Sequence, residues 1–295
     1  MAEAEARAAP LILRHGDWVA GLAPEVGGAI LSLRRAGRDI LRPTPTIDAG
    51  DVRRSAGFAM VPFANRIDGG RLVWAGREWR LPRDPADPRH ALHGVGWRRP
   101  WRVEWAVTSR ASLVFDHAPC EDWPFAFRAR QQLALSDQGL SVTLSMTNTG
   151  ADPAPAGLGL HPYVVAPPDA VLTLACAGRW SNSPDGLPAA REPDVAGRFL
   201  RGLPLADARL DHDIYGWGGS ARVTAPDGSA TIVTGDAVFG HLRLYTPPDG
   251  GACAIEPVTH MANAAHRMHE PDHGLAVLAP GETLQGTVRI VVAGA

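Results

Sequence analysis

The 295-residue sequence predicts an all-β protein, a large antiparallel β-sandwich or barrel with very little helix. Three observations support this class. Short apolar segments recur along the whole chain, and turn residues separate them. The 26 prolines and 32 glycines would interrupt most helices, and no segment has the spacing of an amphipathic helix. We expect residues 1–295 to form one domain, in which residues 1–9 are a flexible N-terminal tail.

The strands are expected as hairpins from the N-terminus onward. The first hairpin flanks a turn at 15–17, an apolar strand follows at 27–33, and residues 71–81 place apolar side chains around an Ala-Gly turn. Residues 140–147 alternate strictly between apolar and polar side chains, so one face of that strand should be buried. The other predicted strands are 101–107 with 112–115, 125–135 with 140–148, 221–224 with 231–234, 242–245 with 252–255, and 287–292.

Composition argues against several functional classes. The formal net charge is only −2, which gives no field that favours nucleic acid or an anionic membrane. The chain has no apolar run of membrane-spanning length and no signal-peptide pattern at its start. Three widely spaced cysteines, Cys120, Cys176 and Cys253, are expected as buried thiols. We therefore expect a cytoplasmic protein, monomeric or weakly dimeric, with no nucleic-acid or membrane partner.

The stretch GLGLHPY at 157–163 is the first candidate functional segment. Its two glycines allow another group to approach the backbone closely. Pro162 favours an extended conformation for His161, which limits where the imidazole can point. Such a histidine can exchange a proton near neutral pH, although a turn histidine bonded to a carbonyl would have the same sequence.

Charged residues mark three further places in the strand pattern. Glu256 follows an apolar strand, where burial would raise its pKa toward the range of a general base. Arg66 is either a solvated strand-end charge or a planar donor for hydroxyl and carboxylate oxygens. The segment 211–217 combines Asp211 and Asp213 with aromatic residues, which suits either a solvated turn or a carboxylate that binds sugar hydroxyls.

Histidines occur in two groups that invite comparison with metal sites. His90 and His93 form an H-x-x-H pair, but Pro88 and Gly94 favour a loop over the helix that this spacing needs. The four histidines between 260 and 273 match no metal-site spacing and are expected mostly on the solvated surface. We predict no metal site.

Five segments resemble the aldose 1-epimerase (galactose mutarotase) family in the family's own order. They are PFANRIDGG at 62–70, ALHG at 91–94, GLGLHPY at 157–163, LDHDIYGW at 210–217 and YTPPDGGACAIEP at 245–257. Each is weak alone, whereas five in order are specific, and the resemblance spans roughly residues 10 to 293. It implies a galactose mutarotase-like supersandwich with an open sugar cleft. It also implies a cofactor-independent isomerase that interconverts the α and β anomers of a free aldose.

The resemblance also implies roles for individual residues. Glu256 corresponds to the general base and His161 to the general acid, so the two should face one sugar ring from opposite sides. Arg66, His93 and Asp211 correspond to residues that hold substrate hydroxyls. The full set expected to bind the sugar is Arg66, His93, Asp211, Asn65 and Tyr163.

Departures from the family pattern leave alternatives open. Ile214 stands where the family often has an aromatic residue, so Asp213 rivals Asp211 as the hydroxyl ligand. One alternative function is a hexose-6-phosphate 1-epimerase, which requires additional arginines in the cleft. The candidates for those arginines are Arg83, Arg89, Arg98 and Arg99. A second alternative function is a noncatalytic carbohydrate-binding protein, which needs the cleft but no acid–base pair.

Overall fold

Strands dominate the computed structural model, which describes residues 9–44, 52–206 and 208–294. Strand accounts for 52% of the chain and helix for 8%, which confirms the all-β prediction. The predicted tail, residues 1–9, lies outside the described residues except for Ala9. The sequence patterns missed one short helix, α1 (Ala196–Arg201). Single turns of 3₁₀ helix cover Val52–Arg54, Asp68–Gly70, Gly96–Arg98, Pro193–Val195 and Ala264–His266.

The strands follow one another closely along the chain. Those of the first half are β1 (Leu11–His15), β2 (Trp18–Ala23), β3 (Ala29–Arg35), β4 (Arg38–Asp39), β5 (Gly57–Met60), β6 (Arg66–Ile67), β7 (Arg71–Trp74), β8 (Arg77–Arg80), β9 (Ala91–Leu92), β10 (Arg102–Val107), β11 (Arg110–His117), β12 (Phe127–Ser136) and β13 (Gly139–Asn148). Those of the second half are β14 (Ala154–Ala156), β15 (Gly159–Val165), β16 (Val171–Leu174), β17 (Gly178–Asn182), β18 (Pro188–Glu192), β19 (Leu203–Pro204), β20 (Asp211–Tyr215), β21 (Ser220–Thr224), β22 (Ala230–Gly235), β23 (His241–Tyr245), β24 (Ala252–Val258), β25 (Ala276–Leu278) and β26 (Thr283–Ala293).

Two large antiparallel sheets contain most of these strands. The first sheet has the order β1-β2-β3-β5-β15-β24-β23-β20-β17-β18, with β4 beside β3. The second sheet has the order β10-β11-β12-β13-β26-β22-β21-β16-β19. Buried apolar residues of both sheets belong to one cluster, including Leu160 and Ile255 from the first sheet and Leu144 and Ile290 from the second. Burial of this apolar surface is the main force that holds the sheets together.

The central strands of the first sheet are covered on both faces. In β15 and β24, Leu160, Val164 and Ile255 point into the core between the sheets. Side chains alternate between faces along a strand, so the residues between them point the other way. Tyr163 and Ala254, on that second face, belong to a separate buried cluster. Loops therefore cover this face of the sheet.

The predicted hairpins are present with small changes in their bounds. β12 and β13 pair along their whole length, from Phe127↔Asn148 to Ser136↔Gly139, and the apolar side of the 140–147 alternation is buried. The expectation of buried thiols is wrong for two of three cysteines. Cys253 is buried, Cys176 is half-buried and Cys120 is exposed. Within the described ranges, no helix combines the length and apolar character needed to cross a membrane.

Candidate active site

Strand register brings the predicted acid and base together. β15 and β24 are antiparallel neighbours with Tyr163 opposite Ala254, and the same register puts His161 opposite Glu256. The imidazole Nε2 and the carboxyl Oε1 lie 3.2 Å apart on the same face of the sheet. The expectation that the two groups face a sugar ring from opposite sides is therefore wrong, because a bound sugar would meet both from the same side. Both residues are buried, at 5% and 2% exposure. Glu256 lies inside β24, where the sequence patterns had put it after the end of a strand.

The neighbouring strands extend this pair into a row across the first sheet. Arg243 on β23 is the cross-strand partner of Glu256, and Asp213 on β20 is the partner of Arg243. On the other side, Phe58 on β5 pairs with His161. We call His161, Glu256, Arg243 and Asp213 the charged row. Because strands carry its members, their spacing is fixed by the sheet rather than by flexible loops.

A cavity of about 430 Å³ opens over one end of the charged row. This volume is within the range of small-molecule sites. Every residue predicted from the sequence to act on or bind a sugar lines it: His161, Glu256, Arg66, His93, Asp211, Asn65 and Tyr163. The structure therefore brings together residues that are spread over almost 200 positions of the sequence, from 65 to 256.

Asn65 and His93 hold each other in place at one wall of the cavity. The Asn65 N–H donates to His93 Nδ1 at 3.1 Å, and the His93 N–H donates to the Asn65 carbonyl at 2.9 Å. Both have positive φ values, 58° and 57°, which are uncommon outside glycine and cluster at functional sites. Burial lowers the pKa of His93 well below its usual value. The neutral ring therefore carries its proton on Nε2 and is a hydrogen-bond donor there.

Arg66 and Asp211 face the cavity as a linked pair. Asp87 accepts a hydrogen bond from Arg66 Nε at 2.7 Å, and Arg66 Nη2 lies 3.7 Å from the Asp211 carboxyl. Burial alone would raise the pKa of Asp211, but the guanidinium groups of Arg243 and Arg66 lower it below its usual value. Asp211 is thus ionised at neutral pH and can accept hydrogen bonds from hydroxyl groups.

The two rival aspartates have different surroundings. Asp211 lines the cavity, whereas Asp213 is 1% exposed and does not line it. Asp213 Oδ1 lies 3.3 Å from Arg243 Nη1, and its other oxygen accepts the Ala262 N–H at 3.3 Å. Of the two, Asp211 is the one in a position to bind a ligand.

The sequence patterns missed several cavity residues. Arg42 stacks over the Tyr163 ring at 3.7 Å, and its Nη2 donates to the backbone carbonyls of Arg53 and Ser55 at 2.6 and 2.9 Å. No sequence signal pointed to it. A sequence signal did exist for Arg243, because it lies between Leu242 and Leu244 in an apolar strand, and a charge that is buried there must be paired. The other missed lining residues with polar side chains are Arg53, Asp87, Tyr245 and Asp249.

Burial acts in opposite directions on the two central groups. It raises the pKa of Glu256 well above its usual value, although the positive charge of Arg243 opposes this. Burial, together with the charge of Arg42, lowers the pKa of His161 to about 3. Both effects favour the uncharged forms, so the pair tends to hold one proton, on the carboxyl group.

The prediction that the histidines from 260 to 273 are mostly solvated is wrong for His260, which is buried, whereas His266 and His273 are half-buried and His269 is exposed. The Nε2 of His260 accepts the Ala64 N–H at 3.1 Å, and its Nδ1 donates to the Met261 carbonyl at 2.8 Å. A Cβ atom at Gly157 would lie 2.2 Å from the His260 ring. The close approach predicted at Gly157 is therefore made by this ring, which supports the loop before Asn65.

His90 and His93 do not act as a pair. His90 Nδ1 accepts the Gly69 N–H at 3.2 Å, and its Nε2 donates to the Asp185 carbonyl at 3.0 Å. Asp68, His90 and Asp185 are close enough together to suggest a cation site. However, both nitrogens of His90 are already used by the backbone, so no lone pair is left for a metal.

The four arginines considered as phosphate ligands do not line the cavity. Each is bound elsewhere: Arg83 to the Gly69 carbonyl, Arg89 to the Pro184 carbonyl, Arg98 to Asp84, and Arg99 to Asp122. The cleft arginines are instead Arg42, Arg53, Arg66 and Arg243.

Comparison with known proteins gives a consistent picture. A family model described as aldose 1-epimerase matches residues 12–291. The uncharacterised Escherichia coli protein YphB is 32% identical over 92% of this chain and 94% of its own length. A crystal structure from Escherichia coli K12, provisionally described as an aldose 1-epimerase, superposes with a TM-score of 0.88 at 28% identity, over 97% of this chain and 99% of that one. A galactose mutarotase-like protein from Clostridium acetobutylicum shares the fold, with a TM-score of 0.86 at 18% identity over 97% and 95% of the two chains.

Proposed function

Because the chain belongs to the aldose 1-epimerase family, we propose that it is a mutarotase that interconverts the α and β anomers of an aldose. The observation that carries the proposal is the contact of 3.2 Å between His161 and Glu256 at a cavity lined by hydrogen-bonding side chains. An imidazole and a carboxyl group in contact are a suitable pair for general acid–base catalysis. The reaction needs no nucleophile and no redox centre.

In the proposed reaction, Glu256 accepts the proton of the anomeric hydroxyl while His161 donates a proton to the ring oxygen. The bond between C1 and the ring oxygen breaks and leaves an open-chain aldehyde. Rotation about the C1–C2 bond then presents the other face of the carbonyl carbon. On closure, His161 regains its proton from the attacking hydroxyl, and Glu256 returns its proton to the new anomeric oxygen. Every proton that leaves a side chain comes back to it.

The pair must hold one proton between its two members before the sugar reacts. Burial favours that proton on Glu256, and transfer across the contact to His161 gives the carboxylate and imidazolium that the reaction uses. Both states contain the same number of protons, so their ratio does not depend on pH. Each of the two groups contributes about 10²–10⁴-fold to the rate of such a reaction.

The other lining residues are proposed to orient the sugar. Asp211 accepts hydrogen bonds from hydroxyl groups, while Arg66 and the His93 Nε2–H donate to them. The Tyr163 ring packs against the Arg42 guanidinium and the His161 imidazole and is proposed to form one side of the sugar site. We expect a single-domain protein, monomeric or weakly dimeric, that acts on free sugar in the cytoplasm without a cofactor.

Mutarotation of anomerically pure sugars, followed by polarimetry, tests the proposal. The panel should contain neutral aldoses such as glucose and galactose, their 6-phosphates, and acidic or sulfonated sugars. We expect faster equilibration of at least one unphosphorylated sugar. Acceleration confined to phosphorylated sugars would favour the hexose-6-phosphate alternative. Binding of a sugar without any acceleration would favour a carbohydrate-binding protein.

A further inference from the structure

Arg243 is a fully buried cation beside the acid–base pair. Its side chain is 1% exposed and lies on the face of the sheet that carries Glu256, as the cross-strand partner of that residue. A buried guanidinium is costly unless it is paired. Here Nη2 donates to the Asp211 carbonyl at 3.1 Å and pairs with the carboxyl group of Asp211, and Nη1 lies 3.3 Å from Asp213.

We propose that Arg243, anchored by Asp213, is a positioning residue that supplies the fixed positive charge beside which Glu256 gives up and regains its proton. The inference rests on the proposed function, because it assigns a part in the same reaction. Arg243 acts through Glu256 and does not itself exchange a proton, since a guanidinium stays charged throughout.

The charges around Glu256 show why this cation matters. The titratable and charged groups on the side of Glu256 are His161 and Tyr163 on β15, Arg243 and Tyr245 on β23, Asp211 and Asp213 on β20, Arg66 on β6, and Arg42, which stacks over Tyr163. Among these charges, Arg243 has the largest effect on Glu256, and it favours the carboxylate. Without Arg243 that support would be lost, while Asp211 and Asp213 would still disfavour the carboxylate, so ionisation of this buried group would become harder.

Asp213 fixes the place of this charge. It is 1% exposed, and the Ala262 N–H binds the oxygen that does not face Arg243. Asp213 and Asp211 together raise the pKa of Arg243, against the effect of burial. Asp213 also acts on Glu256 with the opposite sign to Arg243, because a negative charge nearby disfavours the carboxylate. Removal of the Arg243 charge should therefore raise the pKa of Glu256, and removal of the Asp213 charge should lower it.

The test is a titration of Glu256 by NMR in protein labelled with ¹³C at the glutamate carboxyl carbon. The Glu256 signal is the one that disappears in Glu256→Gln. In Arg243→Met the midpoint should rise by about one pH unit or more. In Asp213→Asn the midpoint should fall. The midpoint of Arg243→Lys should be closer to that of the wild type than the midpoint of Arg243→Met is. Arg179→Met is the matched control, because Arg179 pairs with Glu192 on the same sheet, away from the cavity, and should leave the midpoint unchanged.

An unchanged midpoint in Arg243→Met, or a shift in the same direction for Arg243→Met and Asp213→Asn, overturns the inference. If Arg243→Met does not fold, the midpoint in Asp213→Asn is the test: a lower midpoint supports the inference, and an unchanged or higher one overturns it. The alkaline limb of the pH profile of kcat/KM should move with the midpoint in each variant. The titration needs no sugar, so it gives a result even if no mutarotation is found. Mutarotation in the wild type with unmoved midpoints would contradict this inference alone.

Discussion

At the scale of single residues, the site depends on burial of groups that water normally keeps charged. Burial shifts the pKa of His161 downward and the pKa of Glu256 upward, so neither group has its ordinary ionisation. The identities of both residues could be proposed from the sequence, because a glutamate in an apolar strand and a histidine before proline are unusual. The distance between the two side chains could not be predicted from the sequence, since it depends on the register of two strands that are remote in the sequence.

A second residue-scale feature is the fit between Gly157 and the His260 ring. In Gly157→Ala the new Cβ would lie 2.2 Å from that ring, so the ring or the backbone has to move. We expect a loss of about 1–3 kcal/mol in the free energy of unfolding, as for other overpacked interiors. Denaturant unfolding measures it. Mutarotation should also weaken, because His260 supports the loop that carries Asn65.

Gly240→Ala is the matched control for this substitution. Gly240 has no other atom within 4 Å of the position of a Cβ, and its φ is not positive. Its variant should therefore keep nearly the stability of the wild type. Equal stability of the Gly157 and Gly240 variants would show that the His260 ring yields freely, and the supporting role given to it would be wrong.

At the scale of elements, local pattern and long-range register differ in how well a sequence reveals them. The hairpin of β12 and β13 was predictable because its apolar residues alternate and its turn is short. β15 and β24 are neighbours although about 90 residues separate them, and nothing local specifies that pairing. Core packing of Leu160 and Ile255 fixes the register, since a slip by one residue would turn the acid and base into the core.

Short elements were missed for a related reason. α1 has only six residues, too few for an apolar period to be seen, and β6 and β9 have two each. The left-handed conformations of Asn65 and His93 also leave little trace in a sequence, because residues other than glycine rarely adopt them. Arg66 and His93 were noticed from the strand pattern and the histidine spacing, but only the family resemblance pointed to Asn65 and to a sugar-binding role for His93.

At the scale of the whole molecule, buried neutral histidines make stability depend on pH. Burial lowers the pKa of six histidines: His93, His117, His161, His212, His241 and His260. The unfolded chain takes up protons on them near pH 6.5, whereas the folded protein does so only at lower pH. Their contribution to stability is therefore complete above pH 6.5 and is lost as the pH falls.

We predict that the free energy of unfolding decreases markedly between pH 7.5 and pH 5, measured by denaturant unfolding. For His260 alone, the pKa falls from 6.5 to about 4 on folding, which corresponds to about 3 kcal/mol once the pH is below both values. The raised pKa of Glu256 acts in the opposite sense, but it is one group against six. Equal stability at the two pH values would mean that these histidines are not buried in the neutral form.

The central claim is that His161 and Glu256 exchange protons with one sugar, and the activity of Glu256→Gln tests it most directly. Glutamine keeps the shape of the side chain but cannot accept the anomeric proton. With a sugar that the wild type equilibrates, saturation transfer between the two anomeric protons by NMR measures the exchange rate, and ligand-detected NMR in the same sample measures binding. We predict that binding persists while the catalysed exchange falls by about 10²-fold or more. Exchange at the wild-type rate in this variant would contradict the claim.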